Sequence, residues 1–177
     1  MTGNIDDRER ALRERIATDP GDAPAHLELA RLVGSMRGRK DEAVELWRRY
    51  IDLADAARLP EARLALARAQ IEARLDNDAV ETLQTCVADD PGNVEALCLL
   101  GELLRRGGEL EEAIRAFRSA AEHEPETIRA RIALLSCLEA LGDQAEAQKV
   151  LQSIQQQAVG DPAVAALLRE LLQRRER

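Results

Sequence analysis

Between Val94 and Thr127 the apolar and small residues fall where two short helices need them. Leu97, Leu100, Gly101 and Leu104 lie at i, i+3, i+4 and i+7, which is one face of a helix. Gly107-Gly108 breaks that pattern. Ala113, Phe117 and Ala120 then mark the inward face of a second helix, which Pro125 stops. The same spacing recurs on both sides. Ala79, Ala113 and Ala147 follow one another at a step of 34, and so do Leu83, Phe117 and Leu151; Leu66, Leu100 and Leu134; and Pro91 and Pro125.

A period of 34 with large, apolar, small and proline positions in this order resembles the tetratricopeptide repeat. The resemblance implies an all-α fold: a right-handed α-solenoid of antiparallel helix pairs with terminal capping helices, each pair touching mainly its neighbours. In this register residues 1–22 form an N-terminal capping helix and 23–59 an irregular first repeat. Residues 60–93, 94–127 and 128–161 form three further repeats, and 162–177 a C-terminal capping helix, all in one continuous repeat domain.

Local departures from the pattern carry their own expectations. Ile5, Leu12 and Ile16 lie on one side of the first helix. In the first repeat, with His26, Leu29, Ala30 and Val33 facing Ala43, Trp47 and Tyr50, the turn from Gly34 to Asp41 is one residue longer than in the central repeat. Tyr50 stands where a small residue is usual, so the helices there are expected to sit further apart. The second repeat has no turn glycine, which leaves the turn to Asn77-Asp78, with Asp78 and Glu81 as a capping box. Asp143 and Glu146 repeat that pattern after Gly142, and Leu135 replaces an expected Gly or Ala. Asp161-Pro162 reads as a cap followed by proline in the first turn. The stripe Val164, Leu167, Leu168, Leu171 and Leu172 is expected to cover the fourth repeat, and Arg174, Arg175 and Arg177 suit a helix C-terminus.

Composition narrows the function. Hydrophobic residues make up 45%, charged residues 33% and aromatics only 2%, so alanine and leucine must build the core. A net charge of −8 opposes binding to a phosphate backbone, so no nucleic acid partner is expected. Three cysteines without a CxxC pair are no disulfide framework. With neither a signal-peptide core nor a membrane span, no membrane insertion and a cytoplasmic location are expected.

Catalytic motifs are missing: there is no Walker loop, GxGxxG, HExxH, GxSxG or CxxC. No catalytic residue, metal ligand or cofactor is assigned. His26 and His123 read as a packing residue and a helix-end residue, and Cys86 and Cys137 as packing residues. The acidic pairs Asp89-Asp90 and Glu111-Glu112 read as solvated helix ends. Arg37, Arg39 and Lys40 form a basic turn, read as a solvated loop with an anion site as the alternative.

What remains is a surface. In tetratricopeptide arrays the first helices of successive repeats line a concave groove. Carried over position by position, the resemblance assigns that groove Leu27, Arg31, Glu61, Leu64, Arg68, Ile71, Glu95, Cys98, Glu102, Arg105, Arg129 and Ile132. The lysine and asparagine with which some members grip a chaperone's C-terminal carboxylate are replaced by Leu27, Leu64, Cys98 and Ile132 and by Arg31, Arg68, Glu102 and Ser136. An apolar ridge between charged flanks suits an extended or helical peptide with apolar anchors. Arg31 and Arg68 at one end and Glu102 and Glu139 at the other would orient it. The resulting expectation is a non-catalytic scaffold or adaptor that binds a protein or peptide segment. Its alternatives are a self-assembling, homo-oligomeric module and the regulatory part of a larger enzyme or assembly complex.

Overall fold

The computed structural model describes residues 3–175. The side chains of Leu171, Arg174 and Arg175, and all of Arg177, lie outside the described residues. Among the described residues there are ten α-helices and no strand. They divide into two compact units, Met1–Pro91 and Gly92–Arg177. The first holds α1 (Gly3–Thr18), α2 (Ala23–Gly34), α3 (Lys40–Leu53), α4 (Leu59–Glu72) and α5 (Asp76–Asp89), with one 3-10 turn at Ala56–Arg58. The second holds α6 (Val94–Gly107), α7 (Leu110–His123), α8 (Ile128–Leu141), α9 (Gln144–Gly160) and α10 (Pro162–Arg175). No described helix is long and apolar enough to cross a membrane.

In the first unit each helix packs on the next, from α1 to α5. The core runs through Leu12, Leu29, Val33, Ala43, Trp47, Tyr50, Ala62 and Leu66. Ile5 departs from expectation: it is 46% exposed. Placed in the first turn of α1, it contributes little, and the helix is held by Leu12, by Ile16 and by ion pairs from Arg8 to Glu28 and from Arg15 to Asp22.

The turn between α4 and α5 corrects the sequence reading. Helix α5 begins at Asp76, so Asn77 and Asp78 already lie inside it, and Leu75 at its N-cap makes no side-chain cap bond. Asp78 instead accepts from Arg48 at 2.8 Å. The chain reverses at Arg74, whose φ of 65° is left-handed, as it is at Gly108 and Gly142 (both 86°), which occupy the same register. All three turns close alike: Leu75 N–H donates to Gln70 C=O, Glu109 to Leu104 and Asp143 to Leu138, each at 2.9 Å. The packing of two helices imposes that closure, and at position 74 it overrides the residue's own preference. A side chain in this region costs about 1 kcal/mol or more. Arg74→Gly is therefore expected to raise stability by about 1 kcal/mol, read as a higher denaturation midpoint; a lower midpoint would contradict the turn assignment.

In the second unit α6 to α10 also pack in succession. Ala113, Phe117 and Ala120 of α7 are 0%, 1% and 0% exposed, and the Phe117 ring lies directly against Gly101 of α6. Leu135 of α8, in the place of Gly101, is buried to 1%. The residue in the place of Phe117 on α9 is the smaller Leu151, so bulk lost on one helix is supplied by the other.

The caps hold in part. Asp143 accepts from the Glu146 N–H at 3.0 Å, but the Glu146 carboxylate accepts from Arg118 at 2.6 Å, so the capping box is only half formed. Asp161 accepts from the N–H groups of Ala163 and Val164 and starts α10 as expected. Of the C-terminal stripe, Val164 is buried and Leu168 and Leu172 are half-buried, whereas Leu167 is 41% exposed.

Candidate functional site

Helix α2 carries Leu27 and Arg31 on one side of a cleft in the first unit, and α4 carries Glu61, Leu64 and Arg68 on the other. The cleft has a volume of about 430 Å³. Between the two helices α3 supplies the floor, Trp47 and Tyr50, whose rings meet edge to face at 6.0 Å and 73°. Arg58 from the 3-10 turn closes one end. A second cleft of about 230 Å³ shares Arg31, Trp47, Ala65 and Arg68 with the first and continues toward Lys40 and Glu72.

Trp47 and Tyr50 are 7% and 4% exposed, so they form a rigid base, while Leu27 and Leu64 stand half-buried at its margins. Arg31, Arg58, Glu61 and Arg68 are solvent-exposed along the rim. Large aromatics on α3 thus lie at the base of the cleft between residues of α2 and α4.

Five of the twelve residues assigned by resemblance thus line one cleft. Ile71, one turn further along α4, lines neither of the two clefts. Trp47, Tyr50 and Arg58 were not among the expected site residues. The oversized residue at position 50 and the lengthened turn were the available signal, and they bear on spacing rather than on a site.

In the second unit Glu102, Arg105, Arg129 and Ile132 line a cleft of about 480 Å³ together with Ile128, Ala133, Ser136 and Leu167. Glu95 and Cys98 of α6 do not line it. The expected charge arrangement changes here, because Arg105 donates to Glu102 at 2.8 Å on the same helix. That bond holds the Arg105 guanidinium above its ordinary pKa. Glu102 is accordingly no free acidic pole for a ligand.

The remaining candidates resolve into structural roles. His26 is buried, with Nε2 3.1 Å from the Pro20 carbonyl oxygen, and His123 is exposed at the end of α7. Burial pushes the thiols of Cys86, Cys98 and Cys137 up, away from the reactive thiolate. Asp89 pairs with Arg63 and Glu112 with Arg115. No group of three metal-ligating side chains occurs among the described residues.

Two of the three cations of the basic turn, Arg39 and Lys40, are already paired with carboxylates, while Arg37 is exposed. Arg39 donates through both terminal nitrogens to the two carboxylate oxygens of Glu9, at 2.7 and 2.8 Å, and through Nε to Glu42 at 2.7 Å. Arg13 completes the network by donating to Glu9 and Glu42. The Arg39 guanidinium, and after it that of Arg13, lowers the Glu9 carboxyl from 4.5 to about 2. Lys40 pairs with Glu72 and donates to the Gly34 carbonyl at 3.1 Å. These cations bind α1 and α4 to the turn, a use that spacing alone does not reveal.

Comparison with known proteins agrees with this architecture. Two family models, each described as tetratricopeptide repeat, match residues 104–171 and 64–123. No curated protein matches by sequence. Among solved structures, MamA is 24% identical, with 89% of this chain and 92% of that one covered at a TM-score of 0.74. MamA 41-end from Desulfovibrio magneticus RS-1 is 19% identical, with 90% and 89% covered and a TM-score of 0.72. YrrB, described as a TPR protein with an unusual peptide-binding site, is 18% identical, with 85% and 78% covered and a TM-score of 0.70. At these identities the likeness is one of fold.

Proposed function

Because the chain belongs to the tetratricopeptide repeat family, we propose that it acts as a non-catalytic scaffold that holds a segment of another protein against its α2 and α4 surfaces. The observation that carries this reading is the aromatic-floored cleft of the first unit, with Leu27 and Leu64 at its margins and arginines on its rim. A partner's apolar side chain would displace water from Leu27, Leu64 and the small Ala65, at roughly 25 cal/mol per Å² of apolar surface removed from water. The rim charges would set direction and approach more than affinity. YrrB, a similar fold, is described by its peptide-binding site, which supports peptide binding as a use of such a fold. The second-unit cleft, with Ile128, Ile132 and Leu167, offers a further apolar contact.

The experiment is capture of cellular proteins on the purified full chain and on a Leu64→Glu/Arg68→Glu variant. A carboxylate at position 64 would be desolvated by any apolar anchor, so specific partners should be retained at least about tenfold less well by the variant. Equal retention by both proteins removes the site assignment. Both positions are at least partly exposed, and an unchanged circular dichroism melt verifies that the variant is folded.

A further inference from the structure

The chemistry of the first-unit cleft selects among partners. Its lining carries three arginines, Arg31, Arg58 and Arg68, against one carboxylate, Glu61, a local net charge of +2. The continuation adds Lys40 and Glu72, which neutralise each other as an ion pair. The whole chain, by contrast, has a net charge of −8. A basic rim on an acidic protein runs against the average field, which would otherwise repel an acidic ligand.

The arginines also differ in how they are engaged. Arg39, Arg13 and Arg15 are tied to carboxylates, whereas among the described residues the side chains of Arg31 and Arg58 have no hydrogen-bonding or ion-pairing partner. The guanidinium presents planar, paired donors that match a carboxylate. Between these donors lies an apolar floor, with Trp47 and Tyr50 buried and Leu27 and Leu64 half-buried. Anchor and charges therefore belong to one ligand.

We infer that the first-unit cleft takes a protein segment with one bulky apolar side chain flanked by aspartate or glutamate. The apolar side chain seats over Trp47 between Leu27 and Leu64, and the flanking carboxylates accept from Arg31 and Arg58. This rests on the scaffold reading above and adds the charge and anchor of the partner. Trp47 is the only tryptophan of the chain, so its emission reports on this cleft directly.

The test titrates the full chain with three matched sets of short synthetic peptides. Each peptide has a central leucine or phenylalanine, flanked by glutamates in one set, serines in another and lysines in the last. Trp47 emission and the anisotropy of labelled peptides give the affinities. The glutamate set is expected to bind about tenfold more tightly than the serine set, with the advantage shrinking as salt rises. In Arg31→Gln/Arg58→Gln the advantage disappears, so that the glutamate and serine sets bind this variant with equal affinity. Equal affinity for all sets, or a preference for lysines, overturns the acidic specificity and leaves the scaffold reading standing. Failure of every set to bind overturns the inference as a whole, and the capture experiment then decides the broader reading by itself.

Discussion

Phe117→Ala is expected to destabilise the second unit by about 3–5 kcal/mol, the usual cost of emptying a fully buried aromatic site. Phe117 is 1% exposed and projects from α7 onto α6 at Gly101. The residue it meets has no side chain that could lean into the void, and its neighbours Ala113, Ala116 and Ala120 are short and buried. The transfer term and the cavity term therefore both apply with little relaxation. Chemical denaturation followed by circular dichroism should place the variant's transition well below that of the wild type. A loss under about 1 kcal/mol would mean that the ring is not the centre of the α6–α7 crossing.

Gly101→Ala is expected to destabilise by about 2 kcal/mol, against the trend of helix propensity. In an exposed helix interior the same change would stabilise by about 1 kcal/mol. Here an added Cβ would lie 2.7, 2.7 and 2.9 Å from three atoms of the Phe117 ring, closer than van der Waals contact permits. The ring is buried, so helix separation or a shifted ring rotamer follows, and overpacking of this kind costs about 1–3 kcal/mol. The sign of the effect is the test, because a stabilised variant would refute the close approach. A second variant sharpens it: Gly101→Ala/Phe117→Leu should lose less than the two single changes summed. The next helix pair already uses that exchange, with Leu135 where α6 has Gly101 and Leu151 where α7 has Phe117.

These expectations show which features were legible in the sequence. The step of 34 located Ala79, Ala113 and Ala147, and each is at most 3% exposed. It located the turns at Gly108 and Gly142 as well, because glycine announces a left-handed residue. Arg74 announces nothing, and the reading moved its turn to Asn77-Asp78, where local preference was stronger. The site follows the same division. Leu27, Arg31, Glu61, Leu64 and Arg68 were reached by register, since residues at equivalent places on α2 and α4 face the same way. Trp47, Tyr50 and Arg58 were not, since which side chains show between two helices depends on how far apart those helices stand. Arg39 and Lys40 read as a free basic turn until Glu9 and Glu72, distant along the chain, were seen to occupy them.

By itself, then, the amino-acid sequence determined the helical class, the period, the small residues at each crossing and the family, because all of these repeat along one dimension and depend on neighbours a fixed step away. Tertiary structure alone decided that Arg74 adopts a left-handed turn, that Phe117 presses on Gly101, that Glu102 is paired with Arg105, and that Trp47 and Tyr50 floor a basic-rimmed cleft. The reason is physical: helix spacing and ion pairing are settled by all the side chains that share a space, and no single position along the chain carries that information.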